Sequence, residues 1–147
     1  MRRLVPAALV LLAALWLAAA ALAEGRVALV IGNSNYKTVE SLKNPQNDAM
    51  DVSVALEGLG FDVILGRDLT REGMQKTTAE FADAACKADV ALFYYAGHGF
   101  QVGGQNYLVP TDAAISRADQ ATAQTIAMSD ILRVMATAPG LKLVVLD

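Results

Sequence analysis

The sequence predicts an α/β fold, a three-layer sandwich in which a mostly parallel β-sheet lies between two layers of helices. Near-continuous runs of β-branched and aliphatic residues, such as RVALVIG at 26–32, are typical of strands buried on both faces. These runs alternate with longer segments in which apolar residues recur at helical spacing. Because parallel neighbours need crossover connections, the alternation indicates strand–helix–strand units around one core.

The first half of the chain supplies two strands and two helices. After RVALVIG and a turn-rich loop, Asn44 and Pro45 offer an N-cap and a first helical position, and Gly60 can end that helix. FDVILG, at 61–66, is the second strand, and Thr70 can cap a second helix. The apolar faces predicted for the two helices are Ala49, Val52, Leu56 and Leu59, and then Met74, Thr78, Phe81 and Ala85.

The second half supplies two more strands, a hairpin and a short helix. DVALFYYAG, at 89–97, is the third strand, and FQVGGQNYLV alternates around Gly103 and Gly104, which permit a tight turn. Ser129 can cap a short helix that ends at Pro139 and Gly140, and LKLVVLD then starts a fourth buried strand. The prediction is therefore about four strands plus a hairpin.

The N-terminal segment, residues 1–23, has the pattern of a signal peptide. Arg2 and Arg3 precede an apolar run from Leu4 to Ala23, with a small-x-small site before Glu24. We expect residues 24–147 to form one exported domain, periplasmic or secreted. The alternative is an uncleaved membrane anchor over 4–23, since roughly 20 apolar residues can span a bilayer.

Charge and cysteine content exclude several classes of function. Without residues 1–23 the chain has 10 basic and 15 acidic residues, so its net charge of −5 makes nucleic acid an unfavourable partner. The single cysteine, Cys86, cannot form an intramolecular disulfide, and one histidine beside it does not make a Cys/His metal site. No metal ligand set is expected.

His98, the only histidine, follows the third strand between Gly97 and Gly99. Catalytic and ligand-binding residues of parallel sheets lie at the carboxyl ends of the strands, and the flanking glycines leave room for a substrate. The alternative is that His98 is a loop histidine with a local hydrogen-bonding role. Cys86 precedes that strand, so the thiol would lie roughly 25 Å from the imidazole and cannot be its partner. We interpret Cys86 as a small buried residue at a helix end. The fourth strand ends at Asp147 beside His98, which places the expected partner just beyond that residue.

Four segments carry a resemblance to a known family: VALVIGNSNY, LKNPQNDAMDVSVALEGLGFDV, FYYAGHGFQVGGQNYLVPTDA and LKLVVLD. Together they resemble the large-subunit region of caspase-like cysteine peptidases, particularly the bacterial metacaspase-like group, from about Gly25 to the last residue. The resemblance implies a caspase-like fold for residues 24–147 and hydrolysis of peptide bonds by a Cys/His dyad. In that family the nucleophilic cysteine comes shortly after the Asp147 position, which implies that this chain lacks it and is inactive alone. No cofactor is implied, and a calcium requirement stays open.

The resemblance also assigns roles. It makes His98 the catalytic histidine, which assists the thiolate and protonates the leaving amine. Gly99 would supply an oxyanion-hole N–H, or serve only as a turn glycine. Asp48 and Asp147 would bind a basic side chain just before the scissile bond as a buried carboxylate pair, although Asp48 also fits a helix first-turn carboxylate. Residues 33–48 lack the arginine with which caspases bind aspartate, and Ala96 stands where many metacaspases have serine.

Two other classes of function stay open. A catalytically dead caspase-like module would keep the peptide cleft without a nucleophile, while a nucleotide-binding domain is disfavoured because no GxGxxG or Walker loop follows the first strand. The expected partner is a peptide or protein substrate; a membrane is a partner only if residues 1–23 stay uncleaved. Tyr94 and Tyr95 are predicted to pack in the core. Asn33, Asn35 and Tyr36 could border the cleft, but asparagine is also an ordinary loop residue, and we assign no role to the three.

Overall fold

The computed structural model describes residues 25–114 and 118–147, and the signal-peptide or anchor prediction at residues 1–23 lies outside these ranges. The elements, in chain order, are β1 (Arg26–Gly32), α1 (Pro45–Gly58), β2 (Asp62–Arg67), α2 (Arg71–Ala85), β3 (Val90–Ala96), β4 (Gly99–Val102), β5 (Gln105–Leu108), α3 (Ala118–Gln124), β6 (Ile126–Ala127), α4 (Met128–Met135) and β7 (Leu141–Leu146). None of the helices in the described ranges is long and apolar enough to cross a membrane.

The main sheet contains four strands in the order β2-β1-β3-β7, and all neighbours are parallel. A second, antiparallel sheet joins β4, β5 and β6. The predicted four parallel strands and the hairpin are therefore confirmed, including positive φ angles of 58° and 77° at Gly103 and Gly104. The sequence did not reveal β6, because two residues are too short to show a strand pattern.

Helices cover the main sheet on both faces and give the predicted three layers. Successive strand residues point to opposite faces, so β1 and β3 each feed two clusters. One cluster joins Ala28, Val30, Leu92 and Tyr94 to Ala49 and Leu56 of α1. The other joins Leu29, Ile31, Phe93 and Tyr95 to Met74 and Phe81 of α2 and to Ile131 and Met135 of α4.

The start of α1 packs very closely on the end of β1. A Cβ atom on Gly32 would lie 2.2 Å from the carbonyl oxygen of Pro45 and 2.7 Å from the Cβ of Ala49. Only glycine permits this approach. The first turn of α1 is thereby fixed beside the carboxyl ends of the strands.

The predicted helix caps have mixed outcomes. Thr70 caps α2, because its Oγ1 accepts a hydrogen bond from the N–H of Gly73 at 3.2 Å. Asn44 occupies the N-cap position of α1, but its side chain makes no capping hydrogen bond. The prediction that Ser129 caps the next helix is wrong. That helix starts at Met128, so Ser129 lies within its first turn, and the N-cap residue, Ala127, has no capping side chain.

Strand β7 lies at the edge of the sheet, and the prediction that it is buried is wrong. All six of its residues are exposed, with Leu141 at 56% and Leu146 at 51%. The strand pairs with β3 on one side, and its Leu and Val side chains point toward solvent on both faces. The apolar run correctly indicated a strand, but such a run does not encode which elements cover it.

Candidate active site

His98 lies one residue beyond Gly97 at the carboxyl end of β3 and is half-buried. Its N–H donates a hydrogen bond to the hydroxyl of Tyr36 at 2.8 Å, and its carbonyl oxygen accepts one from the hydroxyl of Tyr95 at 2.8 Å. The same carbonyl accepts the N–H of Val109 at 3.0 Å. The backbone of His98 is therefore held by β3, by the loop after β1 and by the segment after β5.

The imidazole ring is oriented by a main-chain oxygen. Nε2 lies 2.7 Å from the carbonyl oxygen of Glu40, and the ring centroids of His98 and Tyr36 are 4.7 Å apart at 45°. Because a carbonyl oxygen only accepts hydrogen bonds, this contact requires the proton on Nε2. In the neutral ring Nδ1 is then left unprotonated, as a general base must be.

Asp68 holds the loop that carries Tyr36 and Glu40. Its carboxylate accepts hydrogen bonds from the N–H of Ser34 at 2.7 Å, the N–H of Asn35 at 3.0 Å and the Nδ2 of Asn35 at 2.6 Å, and it also accepts one from the side-chain amide of Gln46. Burial raises the pKa of Asp68, but the hydrogen bonds from Ser34 and Asn35, together with the charge of Arg67, outweigh it and hold the pKa below its ordinary value of 3.8.

Sequence reasoning missed three members of this arrangement: Asp68, Tyr36 and the carbonyl of Glu40. Asp68 directly follows β2, at the same edge of the sheet as His98, and this position was the available signal. Its backbone φ of 50° lies in the left-handed region, which aspartate and asparagine tolerate better than most residues. Tyr36 has no role in the sequence analysis, since nothing local shows that its hydroxyl meets the N–H of His98.

Tyr94 and Tyr95 pack in the core on opposite faces, as predicted, yet both hydroxyl groups reach the site. Burial raises the pKa of Tyr95 far above its usual value, so its hydroxyl stays a donor toward the carbonyl oxygen of His98. The Tyr94 hydroxyl donates to Oδ2 of Asp147 at 3.2 Å. Burial first, and then Asp147, raise the pKa of Tyr94 to about 12.

An acidic cavity of about 320 Å³ lies beside Gly97 and contains both predicted carboxylates. Asp48 is half-buried in the first turn of α1, and Asp147 is exposed directly after β7. The structure brings the two residues into one cavity, and over the described residues neither is fully buried. The remaining lining residues are Leu42, Lys43, Asn44, Pro45, Ala96 and Gly97.

Two further cavities lie at the same edge of the sheet. A central cavity of about 390 Å³ shares Gly97 and Asp147 with the acidic cavity. A third cavity, of about 320 Å³, shares Gly99 and Phe100 with the central one. The third cavity, which we call the apolar cavity, is lined by Val39, Glu40, His98, Gly99, Phe100 and Val109. The central cavity thus adjoins residues of both others, whereas the acidic and apolar cavities share no lining residue.

Gly99 starts β4 and is exposed at the junction of the central and apolar cavities. The N–H of Val109 bonds to the carbonyl of His98, so the adjacent pair, Gly99 and Leu108, is a non-hydrogen-bonded pair of the antiparallel ladder. The N–H of Gly99 therefore points away from β5. This orientation is compatible with the predicted oxyanion-hole donor.

Cys86 lies at the opposite end of β3 from His98. It is the C-cap residue of α2, and its Sγ lies 3.3 Å from the carbonyl oxygen of Asp83. The expectation that it is buried is wrong, since the residue is exposed. Phe81 and Ala85 face the core, and the next residue is rotated by about 100° away from that face. Within the described ranges no group of three or more His, Cys, Asp or Glu residues is arranged to hold a metal ion.

The fold and the site together define an α/β domain with a single histidine among cavities at the carboxyl edge of a parallel sheet. A family model described as "Caspase domain" matches residues 25–147. The chain therefore belongs to the caspase-domain family and carries a protease domain of that family. This confirms the resemblance to caspase-like cysteine peptidases.

Two curated relatives are similar to part of the chain. The mucosa-associated lymphoid tissue lymphoma translocation protein 1 of Homo sapiens is 40% identical over 92 residues. Its Mus musculus homolog is 39% identical over 92 residues. In both comparisons the match covers 63% of this chain and 11% of the relative, so it spans a small part of each relative's length.

Proposed function

We propose that this chain is part of an exported cysteine endopeptidase that cleaves after basic residues, with His98 as its acid–base residue. The observation that carries the proposal is the 2.7 Å contact between Nε2 of His98 and the carbonyl of Glu40, which leaves Nδ1 free to exchange a proton. Membership of the caspase-domain family supports the reaction class.

The covalent step needs a thiolate that this sequence does not provide at the site. Its single cysteine, Cys86, lies at the far end of β3. We place the nucleophile beyond Asp147, where the continuing chain would leave the sheet edge beside His98 and Gly99. There the N–H of Gly99 would stabilise the oxyanion, a contribution of about 3 kcal/mol. The chain as given is then expected to be inactive alone.

The proposed preference for basic residues rests on the acidic cavity. Asp48 and Asp147 line it together, and an arginine could bind the carboxylates in a forked geometry. Lys43 lines the same cavity and lowers its net negative charge. The preference is therefore expected to depend on both aspartates.

The test uses the full-length gene product and peptides that carry Arg, Lys, Ala or Asp before the scissile bond. We expect thiol-dependent cleavage after Arg and Lys, which His98→Ala abolishes while the circular dichroism spectrum stays unchanged. Asp48→Asn should raise KM for the Arg peptide about tenfold through loss of one charged hydrogen bond. The matched control is Asp51→Asn on the exposed side of α1, which should leave KM unchanged. Turnover that survives His98→Ala would refute the assignment.

A catalytically dead, peptide-binding module is the second candidate function. It is favoured by the position of the single cysteine away from the imidazole. It predicts that the full-length product binds Arg peptides without cleaving them. Export is tested separately: we expect the product outside the cytoplasm and shortened after residue 23, whereas an intact N-terminus in the membrane fraction would indicate the anchor.

A further inference from the structure

We infer that the apolar cavity beside His98 is a subsite for the residue that follows the scissile bond, and that it selects an aliphatic or aromatic side chain there. The inference rests on the proposed peptidase function and adds a substrate class to it. The inferred substrate has a basic residue before the scissile bond and an apolar residue after it.

The walls of the apolar cavity are hydrophobic and already in place. Val39, Phe100 and Val109 form most of the lining, together with the imidazole of His98. Phe100 is fixed by stacking on Tyr107, with ring centroids 5.3 Å apart and the planes within 13°. Such a preformed apolar pocket binds an apolar side chain without a large ordering cost.

Glu40 is the one acidic residue that lines the apolar cavity. Its carbonyl oxygen already has a partner, because it lies 2.7 Å from Nε2 of His98. An acidic side chain entering the cavity would lose hydration against Val39 and Phe100 and would meet the like charge of Glu40, with no Lys or Arg among the lining residues. The cavity therefore disfavours acidic residues at this position.

The chemistry of cleavage indicates which residue of the substrate occupies the apolar cavity. The imidazole donates a proton to the leaving amine, so the first residue of the leaving peptide lies against His98. His98 lines the apolar cavity and does not line the acidic one. In an extended peptide consecutive residues are about 3.3 Å apart and their side chains point to opposite sides. A peptide with its basic side chain beside Asp48 points the next side chain to the opposite side, and because that next residue lies against His98 we place its side chain in the apolar cavity that His98 lines.

The test compares four otherwise identical peptides that carry Lys-Leu, Lys-Ser, Gln-Leu or Gln-Ser across the cleavage position. With the full-length gene product, kcat/KM is measured where turnover occurs and the dissociation constant where it does not. We expect Lys-Leu to exceed Lys-Ser by about tenfold, as partial burial of a leucine side chain implies. Val39→Ser should reduce this ratio to near one.

The matched control is Val102→Ser. Val102 and Val39 are both 39% exposed, but Val102 does not line the apolar cavity. Its substitution should leave the Leu-to-Ser ratio unchanged.

Each outcome separates the subsite from the proposed function. Equal kcat/KM values or dissociation constants for Lys-Leu and Lys-Ser would overturn the subsite. A preference for Lys over Gln in the same series would still support the acidic cavity as the site for the basic residue. A Leu preference without a Lys preference would support the subsite and remove the basic specificity. A Leu-to-Ser ratio that is unchanged in Val39→Ser would also overturn the subsite. If no peptide is cleaved or bound, both the subsite and the proposed peptidase function are overturned.

Discussion

Asp68 stabilises the loop that orients the imidazole, and Asp68→Asn is the most informative single substitution. Asparagine tolerates the positive φ of 50° at this position, so the backbone can stay as it is. One carboxylate oxygen becomes an NH₂ group that faces two donors, the side-chain amides of Asn35 and Gln46. The substitution thus removes two hydrogen bonds to a charged group without removing bulk.

The expected loss of stability follows from those two bonds. Each contributes about 1 kcal/mol net, and partial exposure of Asp68 keeps the value at the low end for charged partners, so we expect a loss of about 2 kcal/mol. With an m-value of about 2 kcal/mol/M, the urea midpoint should fall by about 1 M. The contact between Nε2 of His98 and Glu40 should loosen with the loop.

Two measurements check this prediction. Urea unfolding followed by circular dichroism gives the stability, and the rate of carbethoxylation of His98 by diethyl pyrocarbonate, located by mass spectrometry, reports on the imidazole. We expect the rate to rise at least about fivefold in Asp68→Asn. The control is Asp62→Asn at the exposed start of β2, which should change neither quantity. An unchanged carbethoxylation rate in a folded Asp68→Asn protein would refute the coupling of this loop to His98.

The stabilisation by Asp68 should also depend on pH. The pKa of Asp68 is below its ordinary value of 3.8 in the folded protein. A depressed folded-state pKa stabilises the protein above the unfolded pKa, and that contribution is lost as pH falls through the folded pKa. The stability difference between the wild type and Asp68→Asn should therefore be constant near neutrality and shrink below about pH 4.

Three further predictions concern the same edge of the sheet. Gly97→Ala should lower the free energy of unfolding, measured with urea, by at least about 2 kcal/mol, because its Cβ would lie 2.6 Å from the Tyr36 hydroxyl. The control is Gly58→Ala, whose Cβ would meet no atom within 4 Å, so that its free energy of unfolding should be unchanged or higher. Tyr36→Phe should lower the free energy of unfolding by about 1 to 2 kcal/mol, because it leaves the N–H of His98 without its acceptor. An unchanged urea midpoint would contradict that hydrogen bond. Alkylation of the exposed Cys86 should proceed without denaturant and leave the carbethoxylation rate of His98 unchanged; a coupled change would show that the two residues communicate.

Much of the fold could be predicted because its signals are local. Continuous apolar runs encode buried parallel strands, and β1 and β3 are of this kind. Coverage by other elements is not local, which is why the apolar run of β7 predicted a strand correctly and its burial wrongly. A capping residue such as Ser129 is similarly ambiguous, because its presence does not fix the residue at which the helix starts, and here it is the second residue of a helix that begins at Met128.

The site was only partly predictable. The position of His98 between glycines after β3 indicated a functional edge, and the resemblance placed Asp48 and Asp147 near it. The groups that orient His98 come from other segments: a hydroxyl at Tyr36 and a main-chain carbonyl at Glu40. A carbonyl is present at every residue, so no sequence pattern distinguishes the one that meets a ring.

The use of a main-chain oxygen at residue 40 makes the orientation of the imidazole independent of which amino acid stands there. Replacement of Glu40 by alanine or glutamine keeps the acceptor in place. Deleting one residue between Lys37 and Leu42 would instead move the carbonyl by about 3 to 4 Å, beyond hydrogen-bonding distance of the ring. In this segment the number of residues therefore matters more than their identity, and variation in loop length would retune or disable the histidine while side-chain variation leaves it intact.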